Sequence, residues 1–166
     1  MSALGRPERE SPSGGGREAT SGSSNTTRQL ALDFLQRLAD HDVAAALTLA
    51  APDAQVDIVP AGVKGALARE GKAYLEALVH AFPDLRMRVR RAIGTDAVAV
   101  VEITMDGTQA ADFVGILNQE KYLDVDQGWM FWSTGGKITR VRAYWCQNQL
   151  LRRLAVKRLD QISITG

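Results

Sequence analysis

Three carboxylates of this sequence could do acid–base chemistry, because each interrupts a segment typical of a strand. Asp126 lies close to Trp129 and Trp132, and neighbours that exclude water suit a carboxyl group to general acid or base work. Glu102 stands in an apolar run, where a carboxylate is costly unless it is paired or functional. If Glu102 and Asp126 share a pocket, their mutual repulsion would define one acid and one base. Asp57, near the end of the first strand, is the third candidate.

Each carboxylate also has a structural interpretation. Asp126 can solvate the rim of a strand. Glu102 can face solvent opposite an arginine of the neighbouring strand, such as Arg88 or Arg90. Simple alternation along the first strand would place Asp57 on the outer face. The sequence therefore leaves both interpretations open for all three residues.

The other reactive side chains predict neither a metal site nor a cofactor site. His41 and His80 are far apart and lack a spaced acidic partner, so they form no metal motif. Cys146 has no obvious base beside it, which favours a structural thiol. No glycine-rich loop leads from a strand into a helix, which argues against nucleotides. We expect a protein without cofactor or metal.

The bulk composition bounds the class of protein and its partners. A chain of 166 residues is long enough for one domain with a core. The hydrophobic share is 45% and the net charge is only +1, so no global field draws the chain to nucleic acid or to a membrane. The single cysteine suits a reducing compartment, and the first residues do not resemble a signal peptide. We expect a cytoplasmic protein with a small-molecule partner.

The domain limits follow from a change of composition. Residues 1–27 are rich in Gly, Ser, Glu and Arg and nearly without apolar side chains, which predicts a disordered tail. A single domain is expected over residues 28–160, followed by a short tail over 161–166. A docking role for the first tail is an alternative, although tails of this composition are usually inert.

Helical spacing of apolar residues predicts three helices near the start of the domain and one at its end. The first carries Leu30 to Leu38, and Asp42 can cap a short second helix. The third carries Leu67 to Phe82 and stops at Pro83. A closing amphipathic helix carries leucines with basic residues beside them, namely Leu150, Leu151, Leu154 and Leu159 with Arg152, Arg153, Lys157 and Arg158.

Period-two alternation predicts the strands. The segments are 54–59, 85–90, 97–105, 122–132 and 137–145, with turns at 94–96, at Asp106-Gly107 and at 134–136. Helices followed by a curved sheet make an α+β layer fold, with the helices on one side of the sheet. A sheet curled around three N-terminal helices forms a cone whose open mouth can hold a pocket.

These elements carry a set of motifs that resembles the SnoaL-like polyketide cyclases of the nuclear transport factor 2 type fold. The matching segments, in order, are Ala81-Phe-Pro-Asp-Leu85, Asp106-Gly-Thr108, Phe113-Val-Gly-Ile116, Gly135-Gly-Lys-Ile138 and Val141-Arg-Ala-Tyr-Trp145. The resemblance implies a cone-shaped mixed or antiparallel sheet around a pocket for a small apolar or polycyclic organic substrate. It also implies a homodimer paired through the outer face of the sheet.

The resemblance places the catalytic positions of such proteins on residues that cannot do their chemistry. The Asp that cyclases and limonene-type epoxide hydrolases keep on the last strand falls on Ala143, and the Asp or His of the preceding strand falls on Gly128. The base of the ketosteroid isomerases falls near Ile58, beside Asp57, and their Tyr falls near Phe34. Epoxide hydrolases of this fold place a pocket Arg near Glu102. A slip of one residue in these counts would exchange the two faces of a strand.

If 128 and 143 point inward, alternation also turns Asp126 inward. The predicted pocket lining is Phe34, Ile58, Gly128, Trp129, Met130, Val141, Ala143 and Trp145. Trp145 could stack on a flat polycyclic ligand.

Three functional hypotheses remain. The first is a cofactor-independent cyclase or isomerase of polyketide-type secondary metabolism, such as antibiotic biosynthesis, which uses an apolar pocket and a carboxylate to promote ring closure. The second is a non-catalytic small-molecule-binding accessory protein of the same fold. The third, an epoxide hydrolase or ketosteroid-type isomerase, needs the Asp that this chain lacks.

Overall fold

The structure, a computed structural model, describes residues 22–154 of the chain. Its helices are α1 (Gly22–Ala39), α2 (Val43–Leu47), α3 (Lys72–Ala81) and α4 (Gln147–Arg153). A π-helical turn, Leu67–Gly71, leads into α3. Helix α1 begins inside the segment predicted as a tail, while residues 1–21, residues 155–166 and the predicted helical residue Leu159 lie outside the described residues. The predicted cap of α2 is confirmed, because Asp42 Oδ1 accepts a hydrogen bond from Ala45 N at 2.8 Å.

Six strands form one curved sheet in the order β2-β1-β6-β5-β4-β3. Their bounds are β1 Ala50–Ile58, β2 Val63–Ala66, β3 Arg86–Gly94, β4 Val98–Thr108, β5 Tyr122–Thr134 and β6 Lys137–Trp145. Strands β1 and β6 run parallel and the other neighbours antiparallel, so the sheet is mixed. The predicted α+β fold is confirmed. The short strand β2 was not predicted, because four residues between two turns carry too little alternation to signal a strand.

The predicted turn at Asp106-Gly107 is wrong, since both residues lie within β4. Asp106 is fully buried and its Oδ1 accepts a hydrogen bond from Arg86 Nε at 2.8 Å. Its Oδ2 lies 3.0 Å from Arg88 Nε, in a charge contact without hydrogen-bond alignment. Gly107 packs so closely on Phe82 that an added Cβ would come within 3.3 Å of the Phe82 Cβ. The pair is therefore held in the strand by charge contacts between the buried Asp106 carboxylate and two exposed arginines, and by a close packing contact of Gly107.

Strand β5 shows which face of the sheet is inside. Its odd-numbered residues from Leu123 to Ser133 are buried, and its even-numbered ones are half-buried or exposed. The Phe131 ring meets Phe34 of α1 at 5.5 Å, which places the odd residues against the helices. Residues 124, 126, 128, 130 and 132 consequently face away from the cone.

The turn after β5 is formed by Gly135 and Gly136, with φ of 59° and 76°. This left-handed backbone favours glycine and confirms the predicted hairpin. Among the described helices, none is both long and apolar enough to cross a lipid bilayer.

Candidate functional site

Aromatic side chains fill the depth of the cone. Trp129 and Phe131 of β5 stack with their ring centroids 6.2 Å apart, and both are at most 1% exposed. Phe34 packs edge-on against Phe131 from α1. Because such rings leave little space between helix and sheet, a ligand has more room toward the mouth than at this end.

Gln127 is a buried polar residue of the inner face that the sequence analysis did not single out. It is 5% exposed, and its Oε1 accepts a hydrogen bond from Trp129 Nε1 at 2.9 Å. Its Nε2 lies 3.3 Å from Met105 Sδ, and a thioether is a weak acceptor. The Nε2 amide of Gln127 can therefore still donate a hydrogen bond inside the cone. The signal was present in the sequence, since apolar residues at 123, 125, 129 and 131 put position 127 on the same face.

An open cleft of roughly 400 Å³ lies between β2, α3 and the β4–β5 loop. This volume lies within the roughly 300–1,000 Å³ that small-molecule pockets span. We call it the mouth cleft. Its walls come from β2, the π-helical turn, α3 and the β4–β5 loop, and its lining residues are Gly62, Val63, Lys64, Glu70, Ala73, Tyr74, Ala77, Phe113 and Val114.

Tyr74 forms the aromatic wall of the mouth cleft. The Tyr74 ring is 6% exposed, lies 5.7 Å from the Phe113 ring and stacks almost parallel on Trp145 at 6.4 Å. Burial raises the pKa of the Tyr74 phenol well above its usual 10.0, because the ionised form would lose its hydration. The phenol therefore stays protonated at neutral pH and can serve as a hydrogen-bond donor.

Two charged residues of opposite sign stand at the rim of the mouth cleft. Glu70 Oε2 accepts a hydrogen bond from Ala66 N at 2.8 Å. Hydrogen bonds from its own backbone and from the Ala66 amide lower the pKa of Glu70 below its usual 4.5, against a smaller opposing effect of burial. Lys64 is exposed on β2. The rim thus presents an ionised carboxylate and a cation, and a weakly basic carboxylate is poorly suited to remove a proton.

The β4–β5 loop reaches the cleft through a strained turn. Phe113 and Ile116 exchange backbone hydrogen bonds of 3.0 and 2.9 Å, and the two residues between them have φ of 45° at Val114 and 78° at Gly115. A positive φ is costly for a β-branched residue, on the order of 1–3 kcal/mol. The surrounding structure must offset this cost to keep Phe113 on the Tyr74 ring.

A second depression, of roughly 430 Å³, lies on the opposite face of the sheet, and we call it the outer groove. Its lining residues are Arg90, Glu102, Ile103, Asp126, Gln127 and Gly128. The structure thus brings Glu102 and Asp126 to one groove, as predicted for a shared pocket, but both side chains are exposed on the outer face. Asp126 Oδ1 accepts a hydrogen bond from Thr104 Oγ1 at 2.7 Å.

The SnoaL-like domain family matches residues 31–141, about two thirds of the chain. The chain belongs to the SnoaL-like domain family. A "putative SnoaL-like polyketide cyclase" from Jannaschia sp. CCS1 superposes with a TM-score of 0.73 at 17% identity, over 87% of this chain and 100% of that one. A "putative hydroxylase" from Streptomyces galilaeus gives 0.70 at 20% identity, over 80% and 98%.

A third similar structure, a "putative polyketide cyclase" from Streptomyces antibioticus, gives a TM-score of 0.66 at 17% identity, over 77% of this chain and 97% of that one. At these identities the likeness shows the shared fold alone. None of the curated protein sequences matches the chain significantly.

Within this SnoaL-like domain, the expectation that Asp126, Gly128 and Met130 point into the cone is wrong. The count that placed Gly128 inward slipped by one residue relative to β6, where Ala143 does face inward and pairs with Trp129. Glu102 also faces outward, opposite Arg91 instead of Arg88 or Arg90, because an irregularity in β3 between Val89 and Arg91 shifts the register. Neither Asp126 nor Glu102 lies in an enclosed site, and their catalytic roles stay predictions.

The third carboxylate of the SnoaL-like domain, Asp57, lies on the outer face as simple alternation predicts. Its Oδ2 is 3.2 Å from Arg142 Nε of the neighbouring strand. This charge contact gives Asp57 a structural role, and its catalytic role stays a prediction.

The remaining predicted lining residues of the SnoaL-like domain lie on the inner side. Those that are buried are Phe34, Ile58, Trp129, Val141 and Ala143. Trp145 is half-buried beside Tyr74 at the mouth. Their contact with a substrate stays a prediction. No group of three or more His, Cys, Asp or Glu residues that could hold a metal ion occurs within residues 22–154.

Proposed function

We propose that this SnoaL-like protein binds a small, mostly apolar polyketide-type molecule in the mouth cleft and promotes its ring closure by holding it in a folded shape. The observation that carries the proposal is the aromatic cleft at the mouth of the cone, with a protonated phenol in its wall. The names of two structural neighbours, each a "putative" polyketide cyclase, support the substrate class.

The chemistry of ring closure in such a molecule fits a site without an inward carboxylate. A carbon between two carbonyls loses a proton to water and becomes an enolate, which attacks a second carbonyl of the same chain. One carbon–carbon bond forms, and the new alkoxide takes up a proton, so no oxidant, reductant or cofactor is needed. Holding the two carbons together can supply much of the rate acceleration, since good orientation lowers the activation barrier of an intramolecular reaction by roughly 7–11 kcal/mol.

Filling the mouth cleft tests this function. Ala77 lines the cleft and its helix position is exposed, so Ala77→Phe should block the site without disturbing the core. Ala44→Phe on the exposed side of α2 is the matched control. We expect the wild type and the control to bind the soluble polycycle anthraquinone-2-sulfonate in calorimetry, and Ala77→Phe to bind it at least tenfold more weakly.

Turnover is measured with a linear aryl-capped poly-β-ketone, whose conversion to the cyclised isomer is followed by chromatography. Acceleration over buffer that Ala77→Phe removes and Ala44→Phe keeps would support the proposal. Absence of saturable binding, or equal binding by both variants, would contradict it.

The second candidate function is a non-catalytic accessory protein that binds such molecules. The observation in its favour is the methyl group of Ala143, fully buried on the inner face at the position where the family resemblance implies a catalytic Asp. Binding of the polycycle without any acceleration of ring closure would favour this function over the first.

We also propose a homodimer formed through the outer face of the sheet. Exposed or half-buried apolar residues stand there at Ile93, Val100, Met130 and Trp132. Arg140 on one side and Glu102 with Asp126 on the other have opposite charges, so a two-fold axis could place unlike charges of two copies together. Sedimentation equilibrium should give a dimer that Met130→Glu dissociates and Ala44→Glu on α2 does not. A wild-type monomer at all concentrations would contradict the proposal.

We place the activity in the cytoplasm, within secondary metabolism such as antibiotic biosynthesis. The exposed free thiol of Cys146 suits a reducing compartment. The named neighbours from Streptomyces support a biosynthetic setting. Polyketide synthase genes next to this one would support the assignment, and a different conserved gene context would count against it.

A further inference from the structure

We infer that Tyr74 determines specificity in the mouth cleft by donating a hydrogen bond to a keto or quinone oxygen of a flat, conjugated ligand. The inference rests on the proposed function and names the class of molecule that the cleft accepts. It assigns Tyr74 to direct ligand contact, which neither the family resemblance nor the carboxylate candidates implied.

The shape of the cleft favours a flat ligand. The rings of Tyr74 and Phe113 contribute aromatic edges to the cleft. Ala73 and Ala77, on the same helix as Tyr74, and Val63 of β2 have short side chains that leave space beside these rings. Because Tyr74 is 6% and Phe113 2% exposed, a planar ring system meets the edges of the rings, and edge-on aromatic contacts at about 4.5–7 Å are favourable.

The hydrogen-bonding state of Tyr74 favours a neutral acceptor on that ligand. A phenol that stays protonated donates one hydrogen bond, and carbonyl oxygens of conjugated ketones accept one readily. A ligand without an acceptor would bury the hydroxyl unpaired, which sites built around a hydrogen bond reject strongly. Tyr74 therefore discriminates between ligands that share one shape but differ in oxygenation.

The charges at the rim do not select an ionised ligand. Glu70 and Lys64 have opposite signs and both line the cleft. Their fields largely cancel for a ligand between them. Recognition then depends on the phenol and on the aromatic wall, which again points to an uncharged keto oxygen.

The test uses two probes of the same shape and charge, anthraquinone-2-sulfonate and anthracene-2-sulfonate, of which only the first has carbonyl groups. Calorimetry on the full chain should show that the wild type prefers the carbonyl probe by about fivefold, the effect of one hydrogen bond. Tyr74→Phe should bind both probes equally, with affinity for the anthracene probe unchanged or improved. Tyr144→Phe, on the outer face, should keep the preference.

The outcomes separate this inference from the proposed function. Equal binding of the two probes by the wild type, or a preference that persists in Tyr74→Phe, would overturn the role of Tyr74 while the cleft remained a binding site. Binding of neither probe would contradict the proposed function and this inference together. Thermal unfolding of Tyr74→Phe within a few degrees of the wild type would establish that the lost hydroxyl, and not a lost fold, changed the preference.

Discussion

The two faces of β5 divide the chemistry of this protein. The inner face carries Gln127 and Trp129 against the helices, whereas the outer face carries the exposed Asp126 and the half-buried Asp124, whose Oδ1 lies 2.9 Å from Arg153 Nε of α4. The carboxylates of the strand therefore face solvent or an arginine, and its inner residues pack or donate hydrogen bonds. The face of the strand on which a residue lies, more than the presence of an acid in the strand, decides whether that residue can contact a buried ligand.

The mouth cleft and the outer groove extend this contrast, because their volumes are nearly equal. The cleft is walled by aromatic rings and holds a phenol whose pKa burial raises. The groove holds two exposed carboxylates beside Arg90. The groove is lined largely by charged and polar groups that face solvent, and the cleft largely by apolar side chains around one buried phenol. Volume alone does not distinguish the two, but the chemistry of the lining does.

The largest expected difference between the faces concerns two tryptophans of the same strand. Trp129→Ala should lower the free energy of unfolding by about 4 kcal/mol, since it removes a fully buried indole and unpairs Gln127. Trp132→Ala should cost about 1 kcal/mol, because Trp132 is only half-buried, beneath Arg140. Urea unfolding of both variants measures the gap, and equal losses would contradict the assignment of faces.

The next largest expected difference is between the stability losses caused by replacing Asp106 and Asp53. Asp106→Asn should lower the free energy of unfolding by about 2 kcal/mol, because Asp106 is buried and neutralises Arg86 and Arg88. Asp53→Asn, at an exposed site of β1, is the control and should change it by less than about 0.5 kcal/mol. If Asp106→Asn left the free energy of unfolding unchanged, the charge contacts of Asp106 with the two exposed arginines would not contribute to stability.

A smaller, pH-dependent effect belongs to Glu70 at the rim of the cleft. The folded-state pKa lies below the usual 4.5, so the ionised carboxylate stabilises the fold above that pH, and the contribution is lost as the pH falls through the folded value. Glu70→Gln should be less stable than the wild type at pH 7, and the gap should close toward pH 3. Chemical unfolding across this range measures it, and a gap independent of pH would contradict the cause.

The smallest expected effect is that of Asp126→Asn. The amide oxygen can still accept from Thr104, so stability should change by less than about 0.5 kcal/mol. Ligand affinity and ring closure should also be unchanged, because the side chain faces away from the cone. If Asp126→Asn lost turnover but kept ligand affinity, Asp126 would be catalytic and this expectation would be wrong.

Much of the fold was predictable because its signals are local. Asp42 before α2, Pro83 after α3 and the glycines at 135 and 136 each fix an element boundary through capping or backbone geometry. The end of β4 was not predictable in the same way. Asp106 and Gly107 have the composition of a turn, and only the distant partners Arg86 and Phe82 keep them in the strand.

The candidate site was predictable only in part. Phe34 and Ile58 fall inside by helical spacing and by alternation, and Ala143 was placed inside by the count that the family resemblance implies. Asp126 was misplaced because a count from the final turn outweighed the apolar alternation of its own strand. Tyr74 carries no sequence signal of its role, since its burial arises from the contact of α3 with a loop about forty residues away.

Ligands are proposed to enter the mouth cleft and not the outer groove. The most direct test is a nuclear magnetic resonance titration that follows the indole N–H signals of the three tryptophans. Trp145 stands beside Tyr74, Trp129 lies deep in the cone and Trp132 faces outward. Assignment by single Trp→Phe variants and titration with anthraquinone-2-sulfonate should shift the Trp145 signal most and leave Trp132 unmoved. A shift of Trp132 with Trp145 unmoved would contradict the claim.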